Sequence, residues 1–294
     1  MSFALAANEL NVTPAALSFQ IKSLEEHLGE PVFRRLNRAV ELTEAGRALA
    51  PGVTDGFAAL NAAWRNARRL ASDTTLTVTA GPALTAKWLA PRLFAFAQAH
   101  PEIELRFSAT LRQMDFTRDE VDVALRYGLG PDVGVFSIPL VHDWMTPMMT
   151  PEVAQDYPTP ADLSRALLMH DDALRIFEVP ADWPVWFAAN GLPPPPQGGP
   201  RFSQSDHALD AALTGGGVVL GRSVFAAKAL REGRLVAPFP IAITMDTHFR
   251  FLCPQGHEAR GPVRAFLDWI QVEMTELEEL SQGRTIIHAK DAQP

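Results

Sequence analysis

The sequence predicts an α/β chain preceded by a small helical module. Three observations predict this. Two short helical patterns stand close together near the start. A long one-sided helix follows them. From Leu76 onward, strand patterns alternate with helical ones.

Composition narrows the class. The chain has 294 residues, 47% hydrophobic and 20% charged, enough for two or three globular domains. No apolar run is long enough to span a bilayer, and MSFALAANEL lacks the basic and apolar regions of a signal peptide. Cys253 is the only cysteine, which excludes an internal disulfide and a cysteine-cluster metal site. These features point to a cytoplasmic protein without a membrane partner. The net charge is −8, but it is uneven. Residues 1–72 carry eight Lys/Arg and seven Asp/Glu, and the remainder carries 18 basic and 27 acidic residues. A locally basic front on an acidic body suits a DNA-binding module joined to a sensor. A solvated charged face gives the same balance.

The elements follow in order. Residues 3–10 read as a short helix, "NVT" as a turn, and residues 14–28 as a second helix. Thr13 suits its N-cap, Pro14 its first position and Gly29 its C-cap. Leu17, Ile21, Leu24 and Leu28 form one apolar stripe, expected to be buried. Ala15, Phe19, Lys22 and Glu26 fall on the opposite face. Two helices so joined make a helix-turn-helix. In "EPVFRRLNRAVEL", Val32-Phe33 packs, the arginines fall in a hairpin and "VEL" returns as a strand, which is a wing. Thr43 then caps a helix from about 44 to 71, with Leu49, Val53, Phe57, Leu60, Trp64 and Ala67 on one side and a kink expected at Pro51. Such a stripe pairs with a second copy or packs on the chain's own body.

In the body, "LTVTA", "EIELRFSA", "VDVALRYG", "WMTPMMT", "RFSQ", "GVVLG", "RLVAPF" and "FRFLCP" read as strands. Helices are expected at 84–99, 160–166, 206–213, 223–232 and 261–275, the last closing the body. The order implies mostly parallel strands. The proline run 193–196 reads as a surface loop, and Trp183, Trp186 and Phe187 as a packing cluster.

These residues resemble the LysR-type transcriptional regulators, within them the group of the glycine-cleavage activator. The resemblance spans nearly the whole chain. It is strongest in "LNVTPAALSFQIKSLEEHLGEPVFRRLNRAVELTEAGRAL", with further matches in "WLAPRLFAFAQAHPEIEL", "DVALRYG", "ALDAALTGGGVVLGR" and "GRLVAPF". It implies a winged helix-turn-helix over 1–46, a dimerising linker helix over 47–72 and an effector-binding domain over 73–294. That domain would be a two-lobe fold like a periplasmic solute-binding protein, with lobe 1 about 73–138 and 248–275 and lobe 2 about 139–247. It further implies tetramers, an operator in double-stranded DNA, a small effector between the lobes and contact with RNA polymerase. Members of this family begin some 15 to 20 residues earlier. The expectation is a missing first helix that leaves Leu10, Leu17 and Ile21 partly uncovered. Either the start is assigned too late or DNA binding is impaired.

On the DNA side, a recognition helix presents its outer face to base edges. Ala15 and Phe19 suit thymine methyls, and Lys22 suits guanine or a phosphate. Ser18 and Ser23 flank this face and suit phosphates. The resemblance gives Gln20 a base contact or an orienting role. Arg34, Arg35 and Arg38 in the wing suit phosphates or the minor groove.

On the sensor side, helix N-termini attract anions. Ala83, Leu84 and Thr85 begin one helix, and Ser203 and Ser205 stand near the start of another. The resemblance sets them in opposite lobes. Arg126, Tyr127 and Gly128 end a strand and suit a carboxylate, and Thr146 lies near the crossover. The expected effector is an organic acid or amino-acid-like molecule. Plain N-capping suits the Ser and Thr residues equally, and an ion pair suits Arg126. An inward Asp206 would repel a carboxylate. "GGGVVLGR" lacks a phosphate-loop ending. His142, His170 and His207 lack metal spacing, and no nucleophile motif is present. Neither cofactor nor metal nor catalysis is therefore expected. A solute-binding protein would need a signal peptide and no basic wing. A regulator that binds ligand and self-associates without DNA stays open.

Overall fold

The computed structural model describes residues 2–36, 39–70, 74–117 and 119–292. The chain divides into two compact units, Met1–Ala71 and Ser72–Pro294.

In the first unit, helix α1 (Phe3–Glu9) and helix α2 (Pro14–Leu28) are joined through Asn11, a non-glycine residue with φ 54°. The Thr13 hydroxyl accepts from the Ala16 N–H at 3.1 Å, and Gly29 caps the far end at φ 79°. Strands β1 (Phe33–Leu36) and β2 (Ala39–Leu42) form an antiparallel hairpin. The Glu25 carboxylate of α2 accepts from the Val32 and Phe33 N–H groups at 2.8 and 3.1 Å, which ties the wing to the helix. The stripe on α2 is not buried as its spacing predicts. No α2 residue is buried: Leu17 and Ile21 are half-covered, and Leu24 and Leu28 are exposed. The helix has two apolar-capable faces and too little chain packed on either to seal one.

Helix α3 (Glu44–Leu70) runs through Pro51 and Gly52 without ending. Proline removes one intrahelical bond, and a 27-residue helix retains the rest. Val53, Phe57, Leu60 and Trp64 are exposed on it, and the side chain of Ala67 lies outside the described ones.

The second unit is built on nine strands among the described residues. They are β3 (Thr75–Ala80), β4 (Glu104–Ala109), β5 (Val123–Gly128), β6 (Val135–Met148), β7 (Leu168–Asp171), β8 (Arg201–Phe202), β9 (Val218–Arg222), β10 (Ile241–Pro254) and β11 (Thr285–His288). Two of them, β6 and β10, are long enough to serve both lobes. In the first lobe, the order is β4-β3-β5-β10-β6, with β10 pairing from His248 onward and β6 up to His142. In the second, the order is β8-β7-β9-β6-β10-β11, using Met145–Met148 of β6 and Ile241–Thr244 of β10. The β6–β10 register shifts between Thr244 and His248. The outer pairs are parallel, whereas β5–β10, β10–β6 and β6–β9 are antiparallel.

Around the sheet lie α4 (Pro82–Leu84), a wide turn at Thr85–Leu89, α5 (Ala90–Ala99), α6 (Pro151–Ala154), α7 (Trp183–Ala189), α8 (Ser205–Leu213), α9 (Ser223–Arg231) and α10 (Gly261–Thr275). The stretch "RLVAPF" does not form a strand. Val236 makes only a bridge to Met149, because Pro238 and Pro240 cannot donate to a ladder. Nor does α10 close the body, since β11 follows it. One core gathers Leu76, Val78, Trp88, Phe96, Phe251 and Phe266 with residues of α8 and α9. A second holds Met145, Trp183, Trp186, Phe187, Phe239 and Ile243. The aromatic cluster of α7 is thus core packing, with the Trp183 and Trp186 indoles donating to the Met169 and Ile241 carbonyls. No helix among the described residues is long and apolar enough to cross a membrane.

Candidate effector cleft and nucleic-acid interface

On the outer face of α2, Phe19 is 69% exposed, and Ala15, Gln20 and Lys22 are exposed beside it. Ser18 and Ser23 are half-buried on the flanks, and Lys22 is 3.6 Å from Glu26 one turn on. One wing arginine is less available than its charge suggests. Arg34 donates to Glu41 across the hairpin at 2.9 Å. Arg35 is placed only by its register opposite Val40, and Arg38 lies outside the described residues. The Thr43 hydroxyl accepts from Gly46 N–H and donates to the Pro31 carbonyl, locking wing to helix α3. A Cβ on Gly46 would lie 2.1 Å from the Val32 carbonyl oxygen, so only glycine fits this approach. Glu25 and Gly46 escape sequence reasoning because each acts through a contact distant in the chain.

In the second unit, a cavity of about 420 Å³ opens between the lobes. Ala83, Leu84, Arg126, Tyr127, Ser203 and Ser205 all line it. Strand ends and helix starts converge there because both lobes present the same side of the sheet. Three of the expected residues do not reach it. The Thr85 hydroxyl donates to the Gly81 carbonyl at 2.9 Å, one turn back in its own helix. Thr146 is fully buried in β6 and donates to the Ile241 carbonyl at 2.8 Å. Gly128 packs on Arg250, whose Nη2 lies 3.2 Å from where its Cβ would be. Among the described residues no side chain caps α8, and its start, Gln204 and Ser205, lines the cavity.

Arg126 is half-buried and, among the described residues, reaches only uncharged oxygens: the Leu125 carbonyl, the Thr79 hydroxyl at 3.3 Å and the Arg112 carbonyl. Burial lowers its pKa and nearby Arg112 lowers it further. The alternative of an ion pair does not hold among the described residues, because no carboxylate meets Arg126. The Ser205 hydroxyl donates to Asp171, whose pKa burial raises despite that bond. Tyr127 accepts from the Thr247 hydroxyl at 2.6 Å, and burial pushes its phenol pKa up.

The sequence reading missed Arg222, Phe177, Phe225 and Phe249, which also line the cavity. A signal for Arg222 was present. Asp143 in "VHDWM" is a lone acid in an apolar strand, and a buried carboxylate needs a cation. Arg222 Nε meets it at 2.6 Å, and the Ser223 hydroxyl and Val224 N–H complete its bonding. Burial opposes the charge of Arg222, and Asp143, Tyr127 and Asp171 together more than offset this, holding its pKa above the ordinary value.

Comparison with known proteins decides the family. The model of the LysR substrate binding domain matches residues 71–275, and that of the bacterial regulatory helix-turn-helix protein, lysR family, matches residues 1–47. The chain belongs to the LysR family of transcriptional regulators. It is 37% identical to the glycine cleavage system transcriptional activator of Escherichia coli K12, over 92% of this chain and 88% of that protein. It is 34% identical to the transcriptional activator AmpR of Rhodobacter capsulatus, over 94% and 93%. Among solved structures, the effector domain of AmpR from Pseudomonas aeruginosa matches with TM-score 0.56 and 29% identity, over 70% of this chain and 98% of that one. CrgA, a LysR-type regulator from Neisseria meningitidis, matches with TM-score 0.54 over 93% and 94%, and at 23% identity this shows the fold alone. As a LysR regulator the chain is a DNA-binding protein with an effector-binding domain, and not an enzyme.

Proposed function

We propose that this LysR regulator takes a small anionic effector in the cleft between its lobes, with Arg126 as the anchor. The observation that carries this is a half-buried guanidinium that lines the cavity and meets no carboxylate among the described residues. A carboxylate there gains a charge-assisted bond and relieves an uncompensated cation. Ser203 and the uncapped start of α8 supply further donors. Because the cavity draws on both lobes, a ligand that bridges them favours the closed arrangement and shifts the population toward it.

At the other end, Phe19, Ala15 and Lys22 read the operator, with Gln20 beside them. Ser18, Ser23 and the wing arginines hold phosphates. The exposed stripe of α3 pairs with a second copy, and the dimers join as tetramers that meet RNA polymerase at a cytoplasmic promoter. The uncovered stripe of α2 favours a second reading, a chain that binds effector and self-associates while holding DNA weakly. An electrophoretic shift with the intergenic DNA next to its gene decides. A specific, salt-sensitive shift supports the regulator acting through DNA, and its absence favours the second reading.

A further inference from the structure

The cleft holds a second cation, and its bonding is incomplete. Arg222 ends β9 and is only 6% exposed. Its guanidinium carbon lies 4.0 Å from the ring centre of Tyr127, 4.5 Å from Phe225 and 5.2 Å from Phe249. Nε is taken by Asp143, but the buried Nη2 has no partner among the described residues. A buried N–H left unbonded is costly, and this residue lines the cavity.

The two cations differ in how their charge is balanced. Arg222 faces Asp143 directly, and Asp171 also acts on it. Arg126 faces no carboxylate among the described residues, and Arg112 adds to the positive potential around it. A carboxylate entering at Arg222 therefore meets two acids, whereas one entering at Arg126 meets none. An uncharged carbonyl oxygen feels little of that repulsion and still accepts from Nη2. The same cavity is lined largely by apolar side chains, including Leu84, Leu111, Phe177 and Phe249.

We infer that the effector is a monocarboxylate bearing a second, uncharged carbonyl oxygen, the two joined by an apolar body. Its carboxylate rests on Arg126 in one lobe and its carbonyl on Nη2 of Arg222 in the other. The inference builds on the proposed effector role of the cleft. The position of Arg222 also gives the ligand a hold on the crossover. Asp143 lies on β6 where it passes between the lobes, and Tyr127, stacked on Arg222, is bonded to Thr247 of β10.

Calorimetric titration of the full chain with matched probes tests this. N-benzoylglycine is compared with 4-phenylbutanoate, and N-acetylphenylalanine with 2-benzylpentanoate, pairs that differ by replacing the amide with methylenes. The amide member of at least one pair is expected to bind about tenfold more tightly. Arg126→Gln should abolish binding of both members. Arg222→Lys keeps a charge for Asp143 and should erase the preference. If that variant unfolds, the chemical pairs on the unaltered chain still carry the test. Equal binding within both pairs overturns the inference. So does tighter binding of the dicarboxylate pimelate or the uncharged N-benzylacetamide, or no binding of any probe at about 10 mM. None of these outcomes touches the operator shift, so failure here is separable from failure of the regulator reading.

Discussion

In the N-terminal unit, Phe19 stands in solvent, α2 buries none of its residues, and Phe57, Leu60 and Trp64 line the outside of α3. In the effector unit, Trp88, Trp183, Trp186 and Phe266 are sealed, each inside a core of many partners. The same kinds of side chain are spent differently. Burial within the chain stabilises the effector unit by itself, at about 1.5–3 kcal/mol for a large apolar side chain. In the N-terminal unit those side chains stay exposed and contribute no such burial. A scaffold that must keep its cleft in register needs the first strategy, and a module that works by contact is served by the second.

The sharpest way to break this contrast is to cut into each region in turn. Trp186→Ala removes a buried indole and its bond to Ile241, and should cost about 3–5 kcal/mol of effector-unit stability in thermal unfolding. A drop under about 1 kcal/mol would show a loosely packed lobe. Glu25→Ala strands two wing N–H groups and should destabilise the N-terminal unit by about 1–3 kcal/mol while leaving effector-unit unfolding unchanged. Phe19→Ala should leave unfolding within about 0.5 kcal/mol of wild type. It should nevertheless weaken operator binding by about 1–3 kcal/mol at one A·T position, read by competition against altered operators. Unchanged affinity and preference would remove Phe19 from the interface. Arg34→Ala should lower the slope of log affinity against log salt by about 0.9 for all sequences alike, or by less if Glu41 keeps the charge engaged.

The smallest effect concerns Cys253, which is buried beside Phe251 in β10. Burial pushes its thiol up to about 12 from an ordinary value of 9.0. Between these values the unfolded chain has lost the proton and the folded chain keeps it. Stability from this group is full below pH 9 and declines as pH rises toward 12. Native protein should therefore react slowly with Ellman's reagent at pH 8 and release one equivalent once unfolded. Fast native labelling would mean that the β10 core opens readily.

Much of the architecture was legible because it is local. Thr13, Pro14 and Gly29 mark α2 by chemistry that acts within a turn, and the caps stand where those residues are. The strands β5 and β9, with short apolar runs, and β3, with threonines alternating with apolar residues, were legible for the same reason. What was missed is non-local. The N-terminal half of β6, "VFSIPLV", is an edge of the first lobe with mixed burial and a proline, so it carries no clear period. Strand β11 has exposed and half-buried positions and is specified by its parallel partner β10 rather than by its own pattern. At the cleft, Arg126 and Tyr127 were legible as polar residues ending a buried strand. Thr85 and Thr146 misled because a hydroxyl suits a ligand and a nearby carbonyl equally well, and the sequence does not say which lies in reach. Arg222 sits in a run that reads as close packing, and its only signal is remote, the lone acid Asp143 that needs a cation.

The passage of β6 and β10 through both lobes has a mechanical meaning. No slack loop separates the halves there; a paired ribbon does, with register slips between Thr244 and His248 and between Phe249 and Arg250 as its compliant points. A joint of that kind is a flexure. It twists against a restoring force, and a ligand held at one end only leaves the ribbon unloaded.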